Sequence, residues 1–183
     1  QLARENKKFK YSEVEKKATA RKFGDSIQWL HDASMAYVCF NTNIPQLPLK
    51  AYEKNNEFKV YIHDTGLLMA LYGFATKQAM LNGKLKGPAK GGIYENLVLD
   101  ILIKRGHRLS YYRKDDGSLE IEFLISQDAQ IIPIEVKAGR KSGKSLTNIL
   151  NKEDIKYALN KVVKNKATSW DLIPGKSIKN SIN

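Results

Sequence analysis

The stretch Glu120-Ile121-Glu122-Phe123-Leu124-Ile125-Ser126-Gln127-Asp128-Ala129-Gln130-Ile131-Ile132-Pro133-Ile134-Glu135-Val136-Lys137 reads as two β-strands joined by a polar turn. Side chains alternate faces along a strand. On that rule Leu119, Ile121, Phe123 and Ile125 share one face, with Glu120 and Glu122 on the other. In the second strand Ile132, Ile134 and Val136 share a face, leaving Glu135 and Lys137 opposite. A four-residue loop, Gln127 to Gln130, sets Ser126 against Ile131. It then predicts Glu122 opposite Glu135 and Glu120 opposite Lys137. Two carboxylates meeting across strands, roughly 5 Å apart at Cβ, repel one another. A lysine offsets part of that, and a divalent cation offsets more. Two hard carboxylates with a carbonyl and waters suit Mg²⁺. The bland alternative is an exposed sheet face with Glu and Lys paired.

Outward from the hairpin, the pattern is mixed α/β. On the N-terminal side the chain predicts a helix from Ser12 to about Phe23, broken by Gly24. A second helix follows, capped by Asp25, in which Ile27, Leu30 and Ser34 share a face. Strands follow at Tyr37–Phe40 and Phe58–Ile62. Two helices and a hairpin outline a small winged-helix-like segment over residues 1–63. Then come a short helix from Asp64 to Gly73 and a Gly- and Lys-rich loop over 77–90. A long apolar helix runs from Ile93 to Lys104 and stops at Gly106. A strand at Leu109–Arg113 and a turn at Asp115-Asp116-Gly117 lead into the hairpin. Beyond it the chain has helical tendency, at Leu146 to Leu150 and again at Ile155 to Val163. Residues 64–183 are read as one α/β domain with a basic tail.

Composition bounds the function. The chain has 183 residues, 31 Lys plus Arg against 19 Asp plus Glu, and a net charge of +12. Residues 138–183 carry 10 basic and 3 acidic groups, net +7, whereas 64–137 carry 10 and 9, net +1. A surplus lying just beyond Lys137 suits a polyanion such as nucleic acid. Arg140, Lys141 and Lys144 are the candidate contacts. A single cysteine, Cys39, excludes a disulfide framework and a Cys-based zinc cluster. His31, His63 and His107 show no ligand spacing. No signal peptide or membrane span is read, so the expected compartment is the cytoplasm, with no membrane partner.

The hairpin resembles the PD-(D/E)xK nuclease superfamily, whose motif is an acid on one strand, acid-x-Lys on the next and often a Glu on the preceding helix. Those positions read Glu122, Glu135-Val136-Lys137 and Glu95. Glu stands where Asp is usual at the first, and Pro133 does not supply the motif's proline. The resemblance implies a restriction-endonuclease-like mixed sheet flanked by helices. It also implies that Glu95, Glu122 and Glu135 hold Mg²⁺ and that Lys137 assists an attacking water. A wider succession carries a second resemblance: Lys8-Phe9-Lys10-Tyr11-Ser12, Phe58 through Leu68, Gly92-Ile93-Tyr94-Glu95-Asn96, Glu120-Ile121-Glu122-Phe123 and Ile134 through Gly139. It is similar to the C-terminal region of bacterial and archaeal AAA-type ATPases. That implies an ATPase module preceding Gln1, and action on DNA more than on RNA. The alternatives are a catalytically degenerate nucleic-acid-binding module and a protein-interaction or regulatory domain.

Ala138-Gly139-Arg140-Lys141-Ser142-Gly143-Lys144-Ser145 also fits a loose phosphate-binding loop. Gly139 is one residue too close for the strict form. A P-loop domain also needs further strands downstream, and the sequence predicts none there. That reading is set aside for a flexible basic loop.

Overall fold

The computed structural model describes residues 9–13, 19–137, 148–149, 157–164 and 167–174. The fold is mixed α/β. Helices α1 (Ala20–Asp32), α2 (Thr65–Tyr72), α3 (Phe74–Leu81) and α4 (Pro88–Lys104) accompany seven strands: β1 (Ala36–Thr42), β2 (Glu53–Ile62), β3 (Ser110–Arg113), β4 (Glu120–Gln127), β5 (Gln130–Lys137), β6 (Tyr157–Lys164) and β7 (Ala167–Pro174). The strand order is β2-β1-β3-β4-β5-β6-β7. Two compact units divide the chain, one within Gln1–Cys39 and Asn56–Asp100, the other within Phe40–Asn55 and Ile101–Asn183. Among the described residues no helix is long and apolar enough to cross a membrane.

In the first unit, α1 runs straight through Gly24 and Asp25, so the expected break into two helices does not occur. A single helical glycine costs only about 1 kcal/mol against alanine, too little to end a helix by itself. The expected loop over 77–90 begins inside α3, whose residues 77–81 it includes. Ala75, Lys77, Gln78, Ala79, Met80 and Leu81 of that helix are strong helix formers, and they outweigh the glycines that follow. Helix α4 likewise starts earlier, at Pro88, a residue whose fixed φ and missing N–H suit the first helical position. Asp64 caps α2 as expected, accepting the Leu67 N–H at 2.7 Å.

In the second unit, β1 pairs in parallel with β3 through Phe40↔Ser110 and Thr42↔Tyr112. Helix α4 ends as expected at Gly106, with φ +83°: its N–H bonds the Ile103 carbonyl at 2.8 Å, and the His107 N–H bonds the Leu102 carbonyl at 3.1 Å. That is a Schellman closure, which needs the left-handed glycine. The helix expected over Ile155 to Val163 is a correction: Tyr157–Lys164 is strand β6, parallel to β5, and β7 pairs antiparallel to it. Ile155, Ala158, Leu159, Val162 and Val163 have helical spacing. The open edge of β5 offers a ladder of backbone partners that overrides it. Two strands thus follow Ser145 where none was expected, which removes one argument against the phosphate-loop reading. The displaced glycine remains, and Ala138 to Ser145 lie outside the described residues.

The β4–β5 register is the expected one from Phe123↔Ile134 to Ser126↔Ile131. The connection is tighter than expected: Gln127 pairs with Gln130, leaving only Asp128 and Ala129 in the turn, at φ +51° and +57°. Positive φ at both central residues defines a type I′ hairpin, which favours Asn-Gly or Asp-Gly. Ala129 therefore bears left-handed strain of roughly 1 kcal/mol. Ala129→Gly is expected to raise stability by about 0.5–1 kcal/mol, read as a higher urea midpoint with unchanged slope.

The second departure is a β-bulge. Ser110 pairs with Leu124 and Tyr112 with Ile121, so three steps along β4 match two along β3. The extra residue lies at Glu122–Phe123. Strict alternation fails there: Leu119 and Ile121 join Leu124 and Ile131 in one apolar cluster with Leu49, Tyr112 and Ile149. A bulge inserts one residue and thereby exchanges the faces of all residues beyond it.

Candidate functional site

The bulge lies at one of the predicted acids. Glu122 is on β4 at the bulge, and Glu135 and Lys137 are two residues apart on β5, hence on one face. The structure brings the three together. Lys137 Nζ lies 2.6 Å from Glu135 Oε1 and 3.4 Å from Glu122 Oε1. On the other side of β4, Glu120 pairs with Arg113 in the β3–β4 register, its Oε2 3.7 Å from Arg113 Nε. The ammonium thus serves the carboxylate at the bulge and not the one before it.

Burial grades the cluster. The Glu135 side chain is 1% exposed, that of Glu122 18% and that of Lys137 32%. Glu135 Oε2 is buried and has no hydrogen-bond partner among the described residues. A buried carboxylate oxygen left without a donor is costly and asks for an explanation. Desolvation pushes the Lys137 ammonium down, but the attraction of Glu122 and the hydrogen bond with Glu135 together outweigh it. Lys137 is held above its ordinary 10.5. It is therefore a cation at neutral pH and cannot serve as a base there. Its contribution to stability is complete below pH 10.5 and is lost as pH rises through its higher folded value. The stability gap between wild type and Lys137→Met is expected to stay level from pH 7 to 10 and to narrow above 10.5, measured by urea unfolding.

Glu95 belongs to the first unit and is engaged there. Its Oε1 accepts a short hydrogen bond from the Tyr61 hydroxyl and lies 3.5 Å from Lys59 Nζ. Lys59 and Tyr61 alternate along β2 and are almost fully buried. The next residue, Asn96, clamps the same strand. Its Oδ1 accepts the Ile62 N–H at 3.1 Å, and its Nδ2 donates to the Ile62 carbonyl at 3.0 Å and to Thr65 Oγ1 at 3.2 Å. One turn further on, Asp100 Oδ2 accepts the Thr65 N–H at 3.1 Å. Glu95, Asn96 and Asp100 thus fasten α4 to the end of β2 and the start of α2. Sequence reading missed Lys59, Tyr61, Asn96 and Asp100. Alternation sets Lys59 on the face opposite Phe58, Val60 and Ile62, so the local sequence carries no signal of its burial. Asn96→Leu leaves both Ile62 backbone groups unpaired and is expected to cost about 2–4 kcal/mol, seen as a lowered Tm.

Among the described residues no three His, Cys, Asp or Glu side chains gather as a metal-binding group. The Glu122–Glu135 pair nonetheless fits a hard divalent cation on two counts, the all-oxygen donor set and the undonated Glu135 Oε2. A cleft of about 460 Å³ in the second unit lies toward the hairpin turn, lined by Leu47, Lys50, Arg108, Ser126, Gln127 and Asp128 among others. The carboxylate–lysine cluster is not part of that lining. Arg140, Lys141 and Lys144, the predicted nucleic-acid contacts, lie outside the described residues.

Residues 90–174 match a family model described as a domain of unknown function (DUF4143), a domain commonly found in the C-terminal regions of AAA-type ATPases. Residues 1–78 match a second model, also described as a domain of unknown function (DUF8612). Each covers less than half of the chain. No match to a curated protein or to a solved structure was found.

Proposed function

We propose that this chain is a DNA-acting module of an AAA-type ATPase, and that Glu122, Glu135 and Lys137 form a centre for Mg²⁺-dependent phosphodiester hydrolysis on a restriction-endonuclease-like sheet. The observation that carries the reading is the buried, undonated Oε2 of Glu135 beside an ammonium that already occupies the other oxygen. Glu122 and Glu135 would hold the ion. Bound Mg²⁺ supplies Lewis-acid polarisation of a phosphodiester and a lowered pKa for water. Lys137, protonated at neutral pH, stabilises negative charge developing on the phosphate and orients the water by donating to it. Glu95 acts as a positioning residue for α4 through Lys59 and Tyr61, which departs from the ligand role that the resemblance implies. The net +7 of residues 138–183 supplies backbone attraction to the same polyanion.

The test is nicking of supercoiled plasmid DNA. Mg²⁺ or Mn²⁺ should support it, a chelator should stop it, and Glu135→Gln should remove it. Nicking that survives Glu135→Gln refutes the assignment.

A second reading, a binding module without catalysis, is favoured by one observation: Lys137 already pairs with both carboxylates. On that reading DNA affinity falls steeply with salt and is indifferent to metal.

A further inference from the structure

Helix α3 is eight residues long and buries none of them. Phe74 is 76% exposed and Leu81 70%. Positions 74, 77, 78 and 81 fall at i, i+3, i+4 and i+7, one side of a helix. That side therefore reads Phe74, Lys77, Gln78, Leu81, and all four are exposed. Leu71, in the last turn of the adjoining α2, is 68% exposed. Large apolar side chains scattered singly on a surface need no explanation. A whole helical face carrying two of them, on a helix with nothing buried on its other sides, does.

The stretch of chain that carries this face holds charge of one sign. From Thr65 through Tyr94 there is no Asp or Glu, while Lys77, Lys84, Lys86 and Lys90 are present. Lys77, Lys84 and Lys86 are exposed and make no ion pair among the described residues. An apolar helical face that carries Lys77 and is followed in the chain by exposed Lys84 and Lys86 is complementary to an apolar face flanked by acidic residues. A second copy of the chain is a poor occupant, because a lysine-bearing face on a +12 molecule repels itself. Duplex nucleic acid satisfies the lysines but offers no apolar surface to Phe74 and Leu81.

From this we infer that the α3 face is a docking site for an acidic amphipathic helix of a protein partner. Its apolar residues, at i, i+4 and i+7, cover Phe74 and Leu81, while flanking Asp or Glu meet Lys77, Lys84 and Lys86. The mode is helix against helix, with apolar anchors giving affinity and the rim giving orientation. The inference is independent of the carboxylate–lysine centre, which lies in the other unit.

Three probes test it on the full chain: a labelled synthetic helix with a Leu face and Glu rim, the same helix with a Lys rim, and vesicles of phosphatidylserine and phosphatidylcholine. Fluorescence anisotropy should show binding of the Glu-rimmed helix and not of the Lys-rimmed one. Phe74→Ser and Lys77→Glu should each weaken it about tenfold or more, while Lys50→Glu, in the other unit, should not. Phe74 is largely exposed, so its loss leaves the fold intact, and a circular dichroism melt checks this. Lys77→Glu should also shift preference toward the Lys-rimmed helix. Equal binding of both helices, insensitivity to Phe74→Ser, or binding that Lys50→Glu weakens as much as Lys77→Glu would overturn the inference. So would vesicle binding or self-association that the same two variants abolish, since either gives the face a different occupant.

Discussion

Lys137→Met is expected to destabilise the chain by about 2–4 kcal/mol, the largest effect of any single substitution considered on the β4–β5 hairpin. Removing one partner of a buried ion pair costs roughly 3–5 kcal/mol, because the other charge is left buried and uncompensated. Glu135 meets that condition with its side chain 1% exposed, whereas Lys137 is about a third exposed and Glu122 reaches some solvent. Solvent screening at the lysine therefore lowers the figure. The double variant Glu135→Gln/Lys137→Met should recover most of the loss, because the buried site then holds no unpaired charge. Chemical denaturation of the four proteins in the cycle measures the coupling directly. A double variant as unstable as Lys137→Met would locate the damage in packing and not in charge.

The second large effect concerns activity. Glu135→Gln keeps the shape of the side chain and removes its charge, and it is expected to lower the Mg²⁺-dependent nicking rate by at least about 10²-fold. Glu122→Gln should act in the same direction. Glu95→Gln should instead lower stability through the loss of a charged partner for Lys59, with the nicking rate per folded molecule changed far less. That contrast separates residues holding the ion from one holding a helix. If Glu95→Gln abolished nicking in a fully folded protein, the positioning role given to Glu95 would fail.

Much of this arrangement was legible in the chain. The hairpin register, the Asp64 cap and the Gly106 stop all follow from local chemistry, namely alternation, capping oxygens and the conformational freedom of glycine. What escaped depended on partners distant in sequence. The bulge at Glu122–Phe123 arises from matching β4 to β3, and no property of Glu122 announces it. Strand β6 reads as helix until the edge of β5 is there to pair with it. Helix α3 was hidden because Gly83, Gly87 and the lysines of 77–90 read as a loop, whereas both glycines lie beyond the helical run. At the candidate site the acid-x-Lys pair was visible as a motif. The reassignment of Glu95 to Tyr61 and Lys59 was not, because it needs β2 and α4 side by side.

The carboxylate pair can be tested without guessing a substrate. Electron paramagnetic resonance of Mn²⁺ titrated into the full chain reports bound and free ion directly. The account predicts one Mn²⁺ held per chain, displaced by excess Mg²⁺, and lost in Glu122→Gln/Glu135→Gln with the fold intact. A wild-type chain that leaves all Mn²⁺ free, or a double variant that binds it equally well, would contradict a metal centre at Glu122 and Glu135.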